Sequence, residues 1–449
     1  MLIADVPNAF IQVHMPEVKP GEDRVTMKIT GVLVDLLIEL DANKYGHHVV
    51  FEKGRKVVYV VVKRAIYGML VASLLWYKKF TEDLKSVGFV FNPYDPCVAN
   101  RMFEGKQLTT AIHVDDNKVS CEDPRALDWF VEWLNKMYGK FGEVKVERGK
   151  RLKYLGMVLD YTTPGEVSID MSDYVKEMLE PFKLSATQTA ATPAATGLFG
   201  QKEAKSKALT RDKSELFHST VAKGLFVCKR GRPDIQPTIA ILCTRVKGPS
   251  ETDWQKMLRM LKYLNGTKTK KLRLGAGGCI NVIKWYVDAS FAVHPDYKSH
   301  TGSVMQFAGG RGAVQSISRK QKLNSRSSTE AEIIGTSDVS IMVLWTKLFL
   351  KEQGYETKHV IAQDNKASIL LETNGRRSAG LNSRAMNIRY FWMTDQIERN
   401  QLSVAYTPTK EMVGDFMTKE LQGHLFRKHC DRIMGQVTEN PTEHNESAL

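Results

Sequence analysis

Residues 280–290 are Ile-Asn-Val-Ile-Lys-Trp-Tyr-Val-Asp-Ala-Ser, and the apolar run within them, over 280–287, ends at Asp288. A short run rich in Val, Ile and aromatic side chains is typical of a buried β-strand. Residues 359–363, His-Val-Ile-Ala-Gln, form a second such run, which Asp364 follows directly. If the two strands are neighbours in one sheet, both carboxylates emerge at the same edge of that sheet.

The segments around these runs predict an order of β-β-β-α-β-α-β-α for the last third of the chain. Glu330 lies in the first turn of the first predicted helix, and Asp415 in the first turn of the last one. Glycine-rich residues 309–312 predict the turn of a hairpin. The predicted elements are strands over 280–287, 302–308, 313–318, 359–363 and 402–406, and helices over 328–353, just after 364 and around 415.

Four acids therefore occur where metal chemistry would need them, namely Asp288, Glu330, Asp364 and Asp415. Converging carboxylates repel one another unless cations are present. Two Mg²⁺ ions about 3.5–4 Å apart would neutralise them and activate a water for attack on a phosphodiester. Each acid also has a purely structural explanation, because helix caps, turns and helix dipoles favour Asp and Glu. The joint pattern favours the metal site.

The first section, about residues 1–165, alternates helices with a hairpin, which is an α+β pattern. Apolar residues at helical spacing predict one helix that carries Trp76, Phe80 and Leu84 and ends at Gly88, and another from Pro124 to Gly139. Between them, residues 97–103 and 108–114 are predicted as the strands of the hairpin. Asp115 and Asp116 follow an apolar strand predicted over 108–114, and Asp5 follows Leu2-Ile3-Ala4. Asp5, Asp115 and Asp116 would form a two-metal polymerase site if these strands were adjacent. The alternative is a plain hairpin turn, a position that Asp tolerates well.

The length of 449 residues suggests about three domains. Hydrophobic residues make up 43% and charged residues 25%, which excludes a wholly disordered chain and a disulfide mini-protein. The net charge of +14 fits a polyanionic partner. The longest apolar run, residues 65–77, is shorter than the ~20 residues of a membrane span, so no membrane partner is expected. No basic leader precedes the first apolar residues, so secretion is not expected.

Small polar residues mark the best candidate for a linker, over residues 185–214. A helical block is predicted over 215–278, with one helix opening at Ser250. Residues 436–449 are expected to form a disordered tail. The fold class is thus multidomain, with an α+β part followed by an α/β part.

Short motifs throughout the chain occur in one order that is highly specific, although few are specific alone. In that order they resemble the Pol polyprotein of copia-type LTR retrotransposons, which consists here of reverse transcriptase followed by RNase H. The resemblance extends over residues 1–425. Its motifs are Asp5-Val6-Pro7-Asn8-Ala9-Phe10, Ala65-Ile66-Tyr67-Gly68, Trp76-Tyr77, Val114-Asp115-Asp116, Tyr154-Leu155-Gly156, Arg232-Pro233-Asp234-Ile235, Tyr263-Leu264-Asn265-Gly266-Thr267, Asp288-Ala289-Ser290, Ser327-Ser328-Thr329-Glu330-Ala331-Glu332, Asp364-Asn365, and Asp415 before Thr418-Lys419.

The resemblance implies a role for each acid. Asp5, Asp115 and Asp116 would be the polymerase carboxylates, and the acids at 288, 330, 364 and 415 those of RNase H. Mg²⁺ or Mn²⁺ would be the cofactor, and an RNA–DNA hybrid, template RNA and a primer would be the partners. Residence would be cytoplasmic or nuclear. The implied domains are palm and thumb-like region (1–184), linker (185–214), helical connection (215–278) and RNase H-like domain (279–425).

The chain also departs from the family pattern. Its first candidate catalytic Asp is already its fifth residue, so the N-terminal fingers would be missing. Leu70-Val71 stands where the family usually has Lys-Gln, Leu74 where it has Arg, and His113 where it has Tyr. The stretch 384–390 has Ala and Asn where His and Asp are typical. The polymerase is therefore expected to be impaired and the RNase H to survive.

Three alternatives stay open. The chain could be a catalytically dead, basic relic that grips nucleic acid through phosphate contacts. It could be a pseudogene product that never folds stably. It could also be an unrelated basic α/β enzyme, which would have to match the family's acids in order by chance.

Overall fold

The computed structural model describes residues 1–17, 19, 21, 24–199, 206–278, 280–378 and 387–437. It forms two compact units, Met1–Asn92 with Pro96–Arg148, and Pro93–Asp95 with Gly149–Leu449. The predicted tail lies outside the described residues from position 438 onward, and so do residues 384–386 of the divergent stretch.

The first unit contains a six-stranded sheet of order β5-β6-β7-β8-β1-β9 and a three-stranded sheet of order β2-β4-β3. The strands are Leu2–Asp5 (β1), Thr26–Thr30 (β2), Val50–Glu52 (β3), Arg55–Val61 (β4), Val90–Asn92 (β5), Asp95–Phe103 (β6), Lys106–His113 (β7), Asp116–Ser120 (β8) and Lys145–Arg148 (β9). The helices are Val32–Leu40 (α1), Ala42–Tyr45 (α2), Ala72–Ser86 (α3) and Pro124–Tyr138 (α4).

Helices α3 and α4 form the core of this unit with the larger sheet. Trp76, Phe80 and Leu84 recur on one face of α3, and Phe130 and Leu134 on one face of α4, and all are buried. This helical spacing is why the sequence predicted both elements correctly. The Asp123 side chain caps α4 by accepting a hydrogen bond from the Arg125 amide at 2.9 Å, and Pro124 occupies the first helical position.

The second unit combines a four-stranded sheet of order β10-β11-β12-β13 with a five-stranded sheet of order β16-β15-β14-β17-β18. The strands are Arg151–Tyr154 (β10), Met157–Asp160 (β11), Glu166–Asp170 (β12), Leu272–Gly275 (β13), Val282–Ser290 (β14), His300–Phe307 (β15), Gln315–Lys320 (β16), Lys358–Gln363 (β17) and Ser403–Tyr406 (β18). The helices are Ser172–Leu179 (α5), Arg211–Arg230 (α6), Gln236–Cys243 (α7), Glu251–Gly266 (α8), Ser328–Glu352 (α9), Lys366–Asn374 (α10), Asn387–Glu398 (α11), Asp415–Thr418 (α12) and Gly423–Ile433 (α13).

The division between the units differs from the predicted domain limits. Strand β12 pairs with β13, with Ile169 opposite Leu272, so chain on both sides of the predicted linker forms one sheet. The boundary therefore lies after residue 148 rather than near 184. Within the predicted linker, Leu198 and Phe199 are buried against Ile241. Small polar composition alone did not indicate this burial.

The five-stranded sheet has the predicted strand sequence. Strands β14, β15 and β16 pair antiparallel, whereas β17 pairs parallel with both β14 and β18. Helix α9 packs on β14 and buries Val339 and Val343 against Ile361 in the core. Helices α11 and α13 were not predicted. This mixed α/β architecture, beside the α+β first unit, confirms the multidomain fold class expected from the sequence.

Helix α9 is long and apolar enough to cross a membrane by length and composition alone. Several of its apolar residues, among them Ile334, Val339 and Val343, lie in the protein core. A core helix of a globular domain has the same composition.

Candidate metal centre

Three carboxylates meet at the end of the central parallel strand pair. Strands β14 and β17 are in register with Tyr286 opposite Ala362, so Asp288 and Asp364 both lie two residues beyond this pair. Asp415 at the start of α12 completes the group. One ligand oxygen from each of the three side chains lies within 4.8 Å of the others. The sheet edge predicted from the sequence is thus where the acids converge.

Asp288 is the most enclosed of the three, with 3% of its surface exposed. The Thr418 hydroxyl donates a hydrogen bond to its Oδ2, and the Lys419 ammonium lies 3.7 Å from its Oδ1. Burial raises the pKa of Asp288 in spite of Lys419, because a carboxylate loses its hydration there.

Asp415 lies beside the same lysine. The Lys419 Nζ donates a hydrogen bond to its Oδ1 at 2.8 Å. Burial and the neighbouring charge of Asp288 nevertheless raise the pKa of Asp415 to about 7. Asp364 is more open, and its Oδ2 accepts a hydrogen bond from the Thr409 hydroxyl at 2.8 Å.

The structure brings Glu332, and not the predicted Glu330, next to the clustered aspartates. The Glu330 carboxylate turns back to the helix start, where it accepts a hydrogen bond from the Arg326 amide at 2.7 Å. Residues two positions apart in an α-helix differ by about 200° around its axis, so Glu332 points to the side opposite Glu330. Glu330 therefore caps the start of the helix, which is the structural explanation that the sequence also offered for this acid.

Glu332 is buried, with 6% of its surface exposed. Its carboxylate accepts hydrogen bonds from the Gln363 amide at 3.3 Å and from the backbone of Ala289. Burial and the negative charges of Asp288 and Asp364 raise the pKa of Glu332 well above its usual range. The hydrogen bonds of Gln363 to Glu332 and to the Asp364 amide place Glu332 beside the cluster of Asp288, Asp364 and Asp415.

Gln363 connects two of the acids from a fully buried position. Its side-chain N–H group donates to Glu332, while its side-chain oxygen accepts from the backbone amides of Asp364 at 2.8 Å and Asn365 at 3.1 Å. The glutamine thus fixes the turn that carries Asp364 as well as the orientation of Glu332. The sequence analysis did not identify this role.

The donor set suits a hard divalent cation. Carboxylate oxygens are the ligands that Mg²⁺ and Mn²⁺ prefer, and three clustered aspartates with Glu332 beside them need positive charge. Asp288, Glu332, Asp364 and Asp415 would hold the metal. Lys419 supplies one positive charge against four acids, so most of the charge is left for an ion to balance.

Replacing Gln363 by leucine is expected to weaken metal affinity or hybrid cleavage by about 10–100-fold, as for other residues that orient metal ligands. Leucine fills the same space but leaves Glu332 without its amide donor. Calorimetric titration with Mn²⁺ measures the affinity. Unchanged Mn²⁺ affinity and unchanged cleavage would contradict the positioning role of Gln363.

The raised pKa of Asp415 makes stability depend on pH. A carboxyl whose pKa is raised on folding binds more protons in the folded state, so its contribution to stability falls as pH rises from about 4 through about 7. The melting temperature of the metal-free Asp415→Asn variant, relative to wild type, is therefore expected to increase from pH 5 to pH 8. Thermal melts of both proteins in a chelating buffer measure this difference. A melting-temperature difference that stays constant or decreases from pH 5 to pH 8 would contradict the raised pKa of Asp415.

Three acids of the first unit are also brought close together. Asp5 on β1 lies directly opposite Asp116 on β8, and Asp115 forms the turn before β8. Burial and the charge of Asp115 raise the pKa values of both Asp5 and Asp116. The ligand oxygens of this trio do not all fall within the 4.8 Å that groups Asp288, Asp364 and Asp415, among the residues the structure describes.

The turn between β7 and β8 is strained. Val114 has φ 59°, a left-handed conformation that is costly for a β-branched residue. The Trp76 indole N–H donates to the Val114 carbonyl at 2.6 Å, and the Tyr67 hydroxyl donates to Asp115 Oδ2 at 3.2 Å. Such strain persists where surrounding contacts fix a loop, often at functional sites.

Comparison with known proteins agrees with these features. Residues 47–196 match the family model described as reverse transcriptase (RNA-dependent DNA polymerase). The Pol polyprotein of transposon TNT 1-94 from Nicotiana tabacum is 26% identical over 390 residues, which are 85% of this chain and 28% of that protein. The Pol polyprotein of transposon RE2 from Arabidopsis thaliana is 24% identical over 379 residues, which are 83% of this chain and 25% of that protein.

Solved structures that are similar to this chain include LC11-RNase H1, isolated from compost, and a prototype foamy virus protease–reverse transcriptase. The first has 13% identity and a TM-score of 0.25, and covers 31% of this chain and 93% of its own. The second has 11% identity and a TM-score of 0.23, and covers 87% of this chain and 64% of its own.

Residues 47–196 are thus similar to the class of reverse transcriptases. Over more than four fifths of its length the chain is similar to part of the Pol polyprotein of copia-type retrotransposons. The chain spans about a quarter of the length of the tobacco and Arabidopsis relatives.

Proposed function

We propose that the second unit hydrolyses the RNA strand of an RNA–DNA hybrid with the help of Mg²⁺ or Mn²⁺. The observation that carries this proposal is the convergence of Asp288, Asp364 and Asp415 within 4.8 Å at the end of two parallel strands. Glu332 adds a fourth buried carboxylate. Metal-assisted attack of water on a phosphodiester needs such a set of oxygen ligands and no nucleophilic side chain.

Each residue has a defined part in the proposed reaction. The four acids would hold the metal, which when bound activates water and stabilises charge on the phosphate. Thr418 holds Asp288 Oδ2, and Thr409 holds Asp364 Oδ2. The Lys419 ammonium limits repulsion between Asp288 and Asp415. These contacts fix the ligands before a substrate arrives, which lowers the cost of ordering the site.

For the first unit we propose an RNA-directed DNA polymerase site at Asp5, Asp115 and Asp116, with a template RNA and a primer as partners. Its activity is expected to be weak. Leu70 is 99% exposed and Leu74 is 52% exposed, and apolar side chains at these positions offer no hydrogen bonds to a template or nucleotide.

The second candidate function is binding of a hybrid without cleavage. Lys419 favours it, because its ammonium already contacts two of the acids and supplies charge compensation without a metal. The net charge of +14 would support phosphate contacts in either case.

A substrate panel tests the proposal. The purified chain is incubated with labelled RNA–DNA hybrid, double-stranded RNA and double-stranded DNA, each with Mg²⁺, Mn²⁺ or a chelator. The proposal expects metal-dependent cutting of the RNA in the hybrid alone. A folded protein that binds the hybrid with a steep salt dependence but never cuts it would establish the second candidate instead.

A further inference from the structure

A cavity of about 530 Å³ lies in the second unit between residues 189–198 and helix α8. One wall consists of small residues, including Ala191, Pro193 and Ala195, which leave the space open. The other wall is the solvent-facing side of α8. None of the described residues that line the cavity is acidic.

Three cationic side chains of α8 line this cavity, Lys256, Arg259 and Lys262. Their spacing of three residues places them along one side of the helix, over about 9 Å. No ion pair joins any of them to a carboxylate within the described part of the chain. Three cations that no described carboxylate neutralises repel one another around this cavity, so an anion there would be stabilised.

Two polar groups at the cavity have no hydrogen-bond partner among the residues that the structure describes. One is the hydroxyl of Thr238, a fully buried residue in the cavity wall. Arg259 donates from one terminal nitrogen to Thr192 Oγ1 at 3.0 Å, while its buried Nε has no acceptor. Buried polar groups are usually paired, so an unpaired group in a cavity wall is a position where a ligand would gain a hydrogen bond.

The wall opposite α8 is fixed in place. The Gln422 amide donates to the Ala194 carbonyl at 2.9 Å, and the Gly197 amide donates to Glu420 Oε1 at 2.8 Å. Both hydrogen bonds involve the segment that follows Lys419, since Gln422 donates in one and Glu420 accepts in the other. The cavity is therefore a built feature of this unit and not a gap beneath a loose loop.

We propose that this cavity binds phosphate groups, with Lys256, Arg259 and Lys262 as the charged ligands and Thr238 as a hydroxyl donor. Three cations, a donor set without acids and a volume of about 530 Å³ match a phosphate-bearing ligand better than a carboxylic acid or an apolar molecule. Phosphates of one duplex strand recur every ~3.4 Å along the axis, so a row of about 9 Å meets two or three of them.

A nucleic acid strand and a free nucleotide offer the same phosphate chemistry. The strand would bring several phosphates to the row, and the nucleotide would bring its own phosphate chain into the cavity. The inference does not rest on cleavage at the metal centre, since neither binding mode involves the acids.

The test compares the double variant Lys256→Gln/Lys262→Gln with Lys136→Gln/Lys247→Gln, which removes the same charge from exposed lysines elsewhere. Both are made in the Asp364→Asn background with a chelator present, so that cleavage does not enter. Fluorescence anisotropy measures binding of a labelled RNA–DNA hybrid at several salt concentrations. Thermal melts show that each variant folds.

We expect the cavity variant to lose at least about tenfold in hybrid affinity at low salt, and its salt slope to fall by about 2. The control variant should change affinity less than threefold. In a second arm, dTTP is titrated into both proteins by calorimetry, and loss of dTTP binding in the cavity variant alone would identify a free nucleotide as the source.

Thr238→Val removes the unpaired hydroxyl at nearly constant volume, and a loss of hybrid or dTTP affinity in this variant would support the site further. Equal losses in the cavity variant and the control, or unchanged binding of both probes in the cavity variant, would overturn the proposal. Neither result bears on the proposed cleavage at the metal centre, because cleavage is measured separately with the chain that keeps Asp364.

Discussion

Replacing Glu332 by glutamine is expected to reduce metal-dependent hybrid cleavage by about 10²-fold or more, whereas Glu330→Gln should stay within about threefold of wild type. Metal ligation contributes several kcal/mol to a transition state, and each 1.36 kcal/mol is tenfold in rate. Glu332 is buried and interacts with the charges of Asp288 and Asp364. The measurement is the initial rate of cleavage of a labelled hybrid at saturating Mg²⁺.

Glu330→Gln is the matched control, because it makes the same chemical change two residues away on the same helix. Its expected effect is on stability, a loss of about 0.3–1 kcal/mol, since an acid in the first turn of a helix interacts favourably with the helix dipole. A large loss of cleavage with Glu330→Gln and none with Glu332→Gln would restore the assignment made from the sequence.

The second large effect is expected at a buried ion pair in the helical part of the second unit. Arg232 and Asp234 are 1% and 0% exposed and are joined by two hydrogen bonds of 2.9 and 2.8 Å. The Tyr263 hydroxyl also donates to Asp234 at 2.7 Å. Burial opposes ionisation, but the Arg232 guanidinium outweighs it and lowers the pKa of Asp234.

Asp234→Ala is expected to destabilise this unit by about 3–5 kcal/mol, because the Arg232 charge would stay buried without its partner. Urea unfolding followed by the fluorescence of buried tryptophans measures the change. Asp173→Ala is the control, since its pair with Lys176 is exposed and should contribute less than about 1 kcal/mol. Equal small shifts of the unfolding midpoint for both variants would contradict the importance of the buried pair.

The sequence was sufficient to predict the edge of the five-stranded sheet at which Asp288 and Asp364 converge. Apolar strands that end in Asp288 and Asp364 specify where the carboxylates emerge once the strands are parallel neighbours. The same local patterns predicted α3, α4 and the hairpin of β6 and β7. These elements depend on contacts close in sequence or on a strong apolar periodicity.

Glu332 was not predicted as a site residue because α9 carries two acids near its start, Glu330 and Glu332, and only the first was selected. A signal was nevertheless present, since Glu332 shares its spacing with Val339 and Val343, which face the core, whereas Glu330 does not. The role of Gln363 had no such signal. It depends on the distance between α9 and β17, which only tertiary structure defines.

The domain boundary could not be predicted from local sequence patterns either, because it also depends on tertiary contacts. Pairing of β12 with β13 joins residues about a hundred positions apart, and the intervening small residues gave no indication that Leu198 and Phe199 are buried. The cavity beside α8 also depends on this arrangement, because its two walls come from residues 189–198 and 251–266.

The most direct test of the account is cleavage of a labelled RNA–DNA hybrid by the wild-type chain and by Asp364→Asn, side by side, with Mg²⁺ or Mn²⁺. Asp364 is the most open of the clustered acids, so the substitution leaves the protein core intact. The account predicts cutting of the RNA strand by wild type and its loss in the variant, with hybrid binding retained by both. Cleavage by the variant at the wild-type rate, or none by a folded wild-type chain that binds hybrid, would contradict it.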